Sequence, residues 1–231
     1  MAAAHPFPET VIFDLDGTLV DTAPDVTRAV NYVLRSAGRR AIAPAQVRNL
    51  VGRGSRALIA EALAASGHPG ASNDEVERLL PAFLDFYGAN IALESRPFAG
   101  AVDILKILSN AGVRLAVCTN KFENLSRRLL AALDLEGYFH ANLGGDSLDV
   151  RKPHPRHLLA AIAAAGGRPE TSAMIGDSRT DVATAKAAGV PVILVDFGYS
   201  DVPIESLEAD AVISHFAALP SVLADILSAR A

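Results

Sequence analysis

Acids, a hydroxyl, an amide and two lysines recur along this chain directly after apolar runs. Val11-Ile12-Phe13 leads into Asp14-Leu15-Asp16-Gly17-Thr18, and Val113-Arg-Leu-Ala-Val-Cys118 leads into Thr119-Asn120-Lys121. Lys152-Pro153 follows a short apolar stretch, and Ser172-Ala-Met-Ile175 leads into Gly176-Asp177-Ser178 with Asp181 close behind. Crowded carboxylates do not all stay ionised without a cation. Oxygen ligands that leave room for water suit Mg2+. A metal and a lysine together can neutralise the oxygens of a phosphoryl group. A carboxylate can also attack phosphorus, dividing a slow hydrolysis into two easier steps through an acyl-phosphate. The first step needs a proton for the leaving oxygen and the second a base for water. One carboxyl group two residues along the chain can alternate between these roles.

Each group taken alone has an ordinary structural explanation. Asp-x-Asp-Gly is often a turn; as the start of a calcium loop it would need glycine at the sixth position, which is Leu19. Thr119-Asn120 can cap a helix, Lys152 can be a solvated lysine, and Asp177 and Asp181 suit a helix cap and first turn. It is their order, each at the end of an apolar run, that points to a shared site. Gly52-Arg-Gly-Ser-Arg-Ala57 fits a dinucleotide-loop pattern, but the residues before it repeat at helical spacing. Two readings of it remain: a mobile loop that lowers Arg53 onto a substrate, or two glycines turning between helices. His154, His157 and His215 show no metal-ligand spacing, so surface or packing roles are expected.

The elements needed to position these groups are legible in the pattern. Strands are expected at Val11–Leu15, Val113–Cys118, Ala141–Leu143, Ser172–Ile175, Pro191–Val195 and Ala211–Ile213. From Gly100 onward they alternate with helices over about Ala101–Ala111, Glu123–Leu133, Pro155–Ala165 and Arg179–Ala188, followed by a C-terminal helix. That alternation predicts an α/β fold, a Rossmann-like parallel sheet with helices on both faces. In such a sheet ligands bind at the carboxyl ends of the strands, where all the groups above fall. After the first strand the scheme is interrupted by helices only. Thr22 is expected to cap a helix reaching Ala37, followed by Pro44–Val51, Ser55–Ser66 and Asp74–Leu93. The expected division is a core of residues 1–21 and 96–231 with an inserted α-helical cap of residues 22–95.

The 231 residues suit one core with a modest insertion. Half are hydrophobic and 20% are charged, enough apolar material for a core. The net charge of −5 argues against a nucleic-acid partner. No apolar run is long enough to span a membrane. Met1–Glu9 lacks the features of a secretory signal and reads as a loose tail. The single cysteine, Cys118, suits a reducing, cytoplasmic setting and reads as a small buried hydrophobe.

The order Asp14-Leu-Asp16-Gly-Thr18, Thr119-Asn120, Lys152-Pro153 and Gly176-Asp177-Ser178-Arg-Thr-Asp181 resembles the haloacid dehalogenase superfamily of phosphohydrolases over nearly the whole chain. The resemblance implies Asp14 as nucleophile and Asp16 as acid/base. It implies Mg2+ held by Asp14, Asp177 and the Asp16 backbone carbonyl, with Asp181 as a supporting acid. Thr119 and Asn120 would bind the phosphoryl group and Lys152 would offset its charge. Aspartate at position 16 favours phosphate esters over dehalogenation, which has no leaving oxygen to protonate. Leu19-Val-Asp-Thr-Ala-Pro-Asp25, Val51-Gly-Arg-Gly54, Thr119-Asn-Lys121 and Phe197-Gly-Tyr-Ser200 resemble bacterial phosphoglycolate phosphatases, implying 2-phosphoglycolate as substrate. Arg53 or Lys121 would then read its carboxylate. Other sugar-phosphate phosphatases and β-phosphoglucomutases share this kind of cap, so a phosphotransferase on the same fold is the rival. The partner is a small phosphorylated metabolite, and the chain is expected to act as a monomer or homodimer.

Overall fold

The structure, a computed structural model, describes residues 7–67 and 69–228. Strand β1 (Thr10–Phe13) is buried along its whole length, as its unbroken β-branched and aromatic run requires. It lies between β4 (Arg114–Cys118) and β6 (Ser172–Gly176), parallel to both. With β5 (Ala141–Leu143), β7 (Val192–Val195) and β8 (Ala211–Ile213) it forms a six-stranded sheet of order β5-β4-β1-β6-β7-β8. All its pairings are parallel. Later strands are added first on one side of β1 and then on the other. This places a topological switch point at β1 and β6, where the crevice for a ligand opens.

Side chains alternate across the sheet and feed two cores. Val11, Phe13, Leu115, Val117 and Ile175 face one side, joined by α5 (Ala101–Asn110), α6 (Glu123–Ala132) and α9 (Leu219–Ser228). Ile12, Ala116, Cys118 and Met174 face the other, under α7 (Pro155–Ala164) and α8 (Arg179–Ala188). The α/β layering expected from the alternating pattern is therefore present.

The helical segment between β1 and α5 contains α1 (Ala23–Ser36), α2 (Pro44–Arg48), α3 (Ser55–Ala65) and α4 (Asn73–Ala89). It is bracketed by a feature the sequence pattern did not suggest. Val20–Asp21 (β2) and Arg96–Pro97 (β3) pair antiparallel, so the chain leaves and returns at one place. Thr22 occupies the N-cap position of α1, but its hydroxyl caps nothing and is buried without a partner. The Tyr199 hydroxyl accepts from Ala23 N–H at 2.9 Å instead. A residue 176 positions from Ala23 thus holds the start of α1, where Thr22 was expected to act.

Of the expected loose tail, Met1–Pro6 lie outside the described residues. Pro8 is buried, Phe7 packs on the core and Glu9 accepts from Arg168 and Thr171, so that part is not loose. No helix among the described residues is long and apolar enough to cross a membrane.

Cys118 is fully buried, and burial pushes its thiol up to about 12. Since the thiolate is the reactive form, a thiol reagent at neutral pH should label the protein only as fast as it unfolds. Labelling of native protein at the rate seen in 8 M urea (about the free-cysteine rate) would contradict this burial.

Candidate active site

Asp14, Thr119 and Asp177 each stand one residue beyond a strand, and the three strands are neighbours. After Asp14 the chain curls back. Leu15 C=O accepts from Leu19 N–H at 3.1 Å and from Val20 N–H at 3.0 Å. Gly17 makes the curl possible with φ at +84°. A Cβ there would stand 2.4 Å from Asp177 Oδ2 and 2.8 Å from the Tyr199 ring, so only glycine lets the two loops meet.

Asp14, Asp177 and Asp181 offer oxygens that all lie within 4.8 Å of one another, and all three residues are buried. Lys152 Nζ bridges two of them, 3.0 Å from Asp14 Oδ1 and 2.7 Å from Asp181 Oδ1. Burial pushes the Asp14 carboxyl up to about 6, with Lys152 opposing the shift and Asp181 adding to it. Burial, then Asp181 and Asp14, hold Asp177 well above the usual carboxylate range. Burial works against the Lys152 ammonium, but Asp14 and Asp181 outweigh it and raise its pKa. The other Asp181 oxygen accepts from the Asp177 and Ser178 N–H groups and from the Ser178 hydroxyl. Asp181 is thus taken up by Lys152 and by the start of α8. Asp14 Oδ2 makes no hydrogen bond among the described residues. Asp177 accepts only from Thr18 Oγ1 at 3.1 Å and Tyr199 N–H at 2.6 Å. Two acids with spare lone pairs and an unrelieved repulsion fit a hard divalent cation.

Asp14 and Asp16 form the floor of a pocket with Thr119 and Lys121, roofed by Gly54, Phe83 and Tyr87 of the helical segment. Its volume is about 30 Å3, room for a few waters.

Residues 8–189 match the family model of the haloacid dehalogenase-like hydrolases. The chain belongs to that family. It is 46% identical over 219 residues to the phosphoglycolate phosphatase of Caulobacter vibrioides, covering 95% of this chain and 92% of that one. It is 47% identical over 219 residues to the enzyme of the same name from Mesorhizobium japonicum, covering 94% and 95%. A crystal structure from Haemophilus somnus 129pt, described as a predicted phosphoglycolate phosphatase, superposes with a TM-score of 0.86 at 28% identity, covering 95% of this chain and 99% of that one. With these relatives and this site, the hydrolase is a phosphatase.

The phosphatase brings most of the residues expected from sequence to one place, though not all in the expected posture. Thr119 lines the pocket. Asn120 is turned aside: its Nδ2 donates to Gly52 C=O at 3.0 Å and to Lys152 C=O at 3.1 Å. It therefore ties the Gly52–Gly54 loop to the lysine loop. That loop follows a helix and not a strand, as the rejection of a dinucleotide site required. Arg53 does not reach the pocket. It is 44% exposed and donates to Glu61 at 2.9 Å and Asp201 at 2.8 Å, because two acids beside it hold the guanidinium outside. Lys121 is buried in the pocket, 2.8 and 3.0 Å from the two Asp16 oxygens and 2.8 Å from the Tyr87 hydroxyl. His154 and His215 accept from backbone N–H groups at helix starts, which are packing roles.

Sequence reasoning missed three contributors. Tyr199 holds Asp177 by its N–H, while its hydroxyl donates to Asp21 and accepts from Ala23 N–H. Tyr87 meets Lys121 from α4. His157, fully buried, accepts from Lys152 N–H at Nδ1, so its Nε2 carries the hydrogen donated to Gly144 C=O at 3.0 Å. Only Tyr199 stood in a segment singled out for function, Phe197–Ser200; His157 was expected only at the surface or in packing, and nothing in the sequence marked Tyr87. Burial, then the Lys152 charge, lowers the His157 pKa from 6.5 to about 4. The unfolded state therefore binds the proton first, and this group's stabilisation is lost as pH falls from 6.5 to about 4. Asp14 acts in the opposite sense: its raised pKa favours the protonated native state, so its contribution falls as pH rises through the same region. Comparing His157→Leu with wild type isolates the imidazole. Urea unfolding at pH 7 should show a loss of about 1–3 kcal/mol for the two backbone groups left unpaired, and the gap should narrow toward pH 4. A constant gap would mean that the ring does not charge as described.

Proposed function

We propose that this phosphatase hydrolyses small phosphate monoesters, 2-phosphoglycolate foremost, through an aspartyl-phosphate on Asp14. The observation that carries the reading is the buried Asp14–Lys152–Asp181 bridge with Asp177 beside it, from which Asp14 opens, together with Asp16, into a pocket. Asp14 and Asp177 would hold Mg2+ by their carboxylates and Asp16 by its backbone carbonyl; when bound, the ion offsets charge on the phosphoryl oxygens. The Thr119 hydroxyl and the Asn120 backbone face the phosphoryl group, and Lys152 neutralises one of its oxygens. The free Oδ2 of Asp14 attacks phosphorus, and the bond from phosphorus to the ester oxygen breaks as that oxygen takes a proton from the Asp16 carboxyl group. The Asp16 carboxylate then takes a proton from water. The water oxygen bonds to phosphorus, the bond to Asp14 breaks, and phosphate leaves with the Asp14 carboxylate restored.

Helices α1–α4 act in this reading as a cap, residues 22–95, over a core of residues 1–21 and 96–231. The pocket's small volume requires the cap to part from the core to admit a substrate. The names of the relatives favour 2-phosphoglycolate, whose only handle besides phosphate is a carboxylate. Lys121 is the better partner for it, since Arg53 is held outside by Glu61 and Asp201.

Asp14→Asn should lower kcat by roughly 10^4-fold with unfolding behaviour retained, read as phosphate release from a panel of phosphate esters with and without chelator. Near wild-type turnover by this variant refutes the nucleophile, and a wild-type preference for a hexose phosphate refutes the substrate while leaving the chemistry. Mg2+ at about a hundred times its Kd should stabilise wild type by about 2.7 kcal/mol, and Asp177→Ala should remove most of that gain. Equal thermal shifts in both proteins would take Asp177 out of the metal site.

A further inference from the structure

Lys121 is fully engaged. An ammonium has three N–H donors, and Lys121 Nζ meets three acceptors: Asp16 Oδ1 at 2.8 Å, Asp16 Oδ2 at 3.0 Å and the Tyr87 hydroxyl at 2.8 Å. Both Asp16 oxygens therefore accept from one cation, and at least one of them must be released before it can carry a proton toward an ester oxygen. Yet Asp16, Lys121 and Tyr87 all line the pocket that contains Asp14. The arrangement blocks the proposed acid until something removes the lysine.

We propose that the substrate itself removes it: a carboxylate on the substrate draws the Lys121 ammonium off Asp16, and only then can Asp16 serve the leaving oxygen. This rests on the substrate and the Asp16 role proposed above. The exchange moves no covalent bond, and the bonds and protons of the reaction are those already given. It trades one carboxylate partner of Lys121 for another of the same charge, so a carboxylate-bearing ester meets little opposition. An ester without one must break a buried ion pair with nothing in return. Tyr87 assists from the cap. Its oxygen accepts from Lys121, and its hydroxyl hydrogen, with no acceptor among the described residues, is available to the arriving carboxylate. Burial pushes the Tyr87 phenol up to about 12, which keeps that hydrogen in place. Lys152 cannot substitute for Lys121, being held by Asp14 and Asp181. Selection for an acidic substrate then acts on kcat as well as on binding, since the carboxylate triggers the catalyst.

The test divides the substrate in two. Methyl phosphate keeps the ester and lacks the carboxylate, and formate supplies the missing carboxylate separately. In wild type, saturating formate should raise kcat for methyl phosphate by about tenfold, part of the range open to general acid catalysis. In Lys121→Met, 2-phosphoglycolate turnover should fall by about tenfold or more, methyl phosphate turnover should rise above wild type, and formate should do nothing. The formate arm uses wild type alone and stands even if the variant does not fold. Absence of any formate effect in wild type overturns the proposal. So does a folded Lys121→Met that loses the same factor on both esters, because Lys121 would then merely support Asp16. Equal wild-type turnover of 2-phosphoglycolate and methyl phosphate without formate refutes the substrate reading, and the trigger with it.

Discussion

Lys152 stands between Asp14 and Asp181, with Asp177 across from both. Two carboxylates within 4.8 Å repel each other by roughly 3–4 kcal/mol even at an effective dielectric of about 20, and burial adds a desolvation cost to each. One ammonium offsets part of this and leaves Asp14 and Asp177 short of positive charge. Much of the surrounding structure serves to hold that shortfall in place. His157 fixes the Lys152 backbone, Ser178 and the start of α8 fix Asp181, and Thr18 and Tyr199 fix Asp177. A site strained by its own charges in this way is prepared for a cation, whose charge can in turn offset that of a phosphoryl group.

The helical segment reads the state of that centre through few contacts. Asn120 reaches the carbonyl of Gly52, Tyr87 reaches Lys121, and Tyr199 joins Asp177 to the first turn of α1. Arg53 adds an exposed pair to Asp201, which also takes Arg179. Exposed pairs of this kind contribute little. The coupling of segment to site therefore falls on the buried contacts, each of which ends on a residue next to the acids or on an acid itself.

The parallel sheet and the meeting of Asp14, Thr119, Lys152 and Asp177 were legible in the sequence because each follows an apolar strand, and strand ends in such a sheet share one edge. Their neighbours on the page could not reveal the postures. Arg53 looked suited to a substrate because flanking glycines gave it freedom, but Glu61 and Asp201, brought close only by folding, hold it away. Thr22 looked like a cap by residue type, yet Tyr199 took its hydrogen-bonding task across the fold. His157 carried no motif, since its value lies in two backbone groups, Lys152 N–H and Gly144 C=O, which stand 5 and 13 residues before it and meet it only in the folded chain. Local pattern reports which element a residue joins; competition among charges for partners is a property of the folded whole.

Val20 faces Pro97 and Asp21 faces Arg96 where the chain departs into α1 and returns to α5. An excursion whose two ends are already side by side adds little closure entropy as it grows or shrinks. Helices at this position can be lengthened, repacked or exchanged over generations without moving Asp14 or Asp177, because the sheet below does not depend on the route taken between Asp21 and Arg96. The acid cluster and the helices that roof it are thereby inherited on separable stretches of one gene.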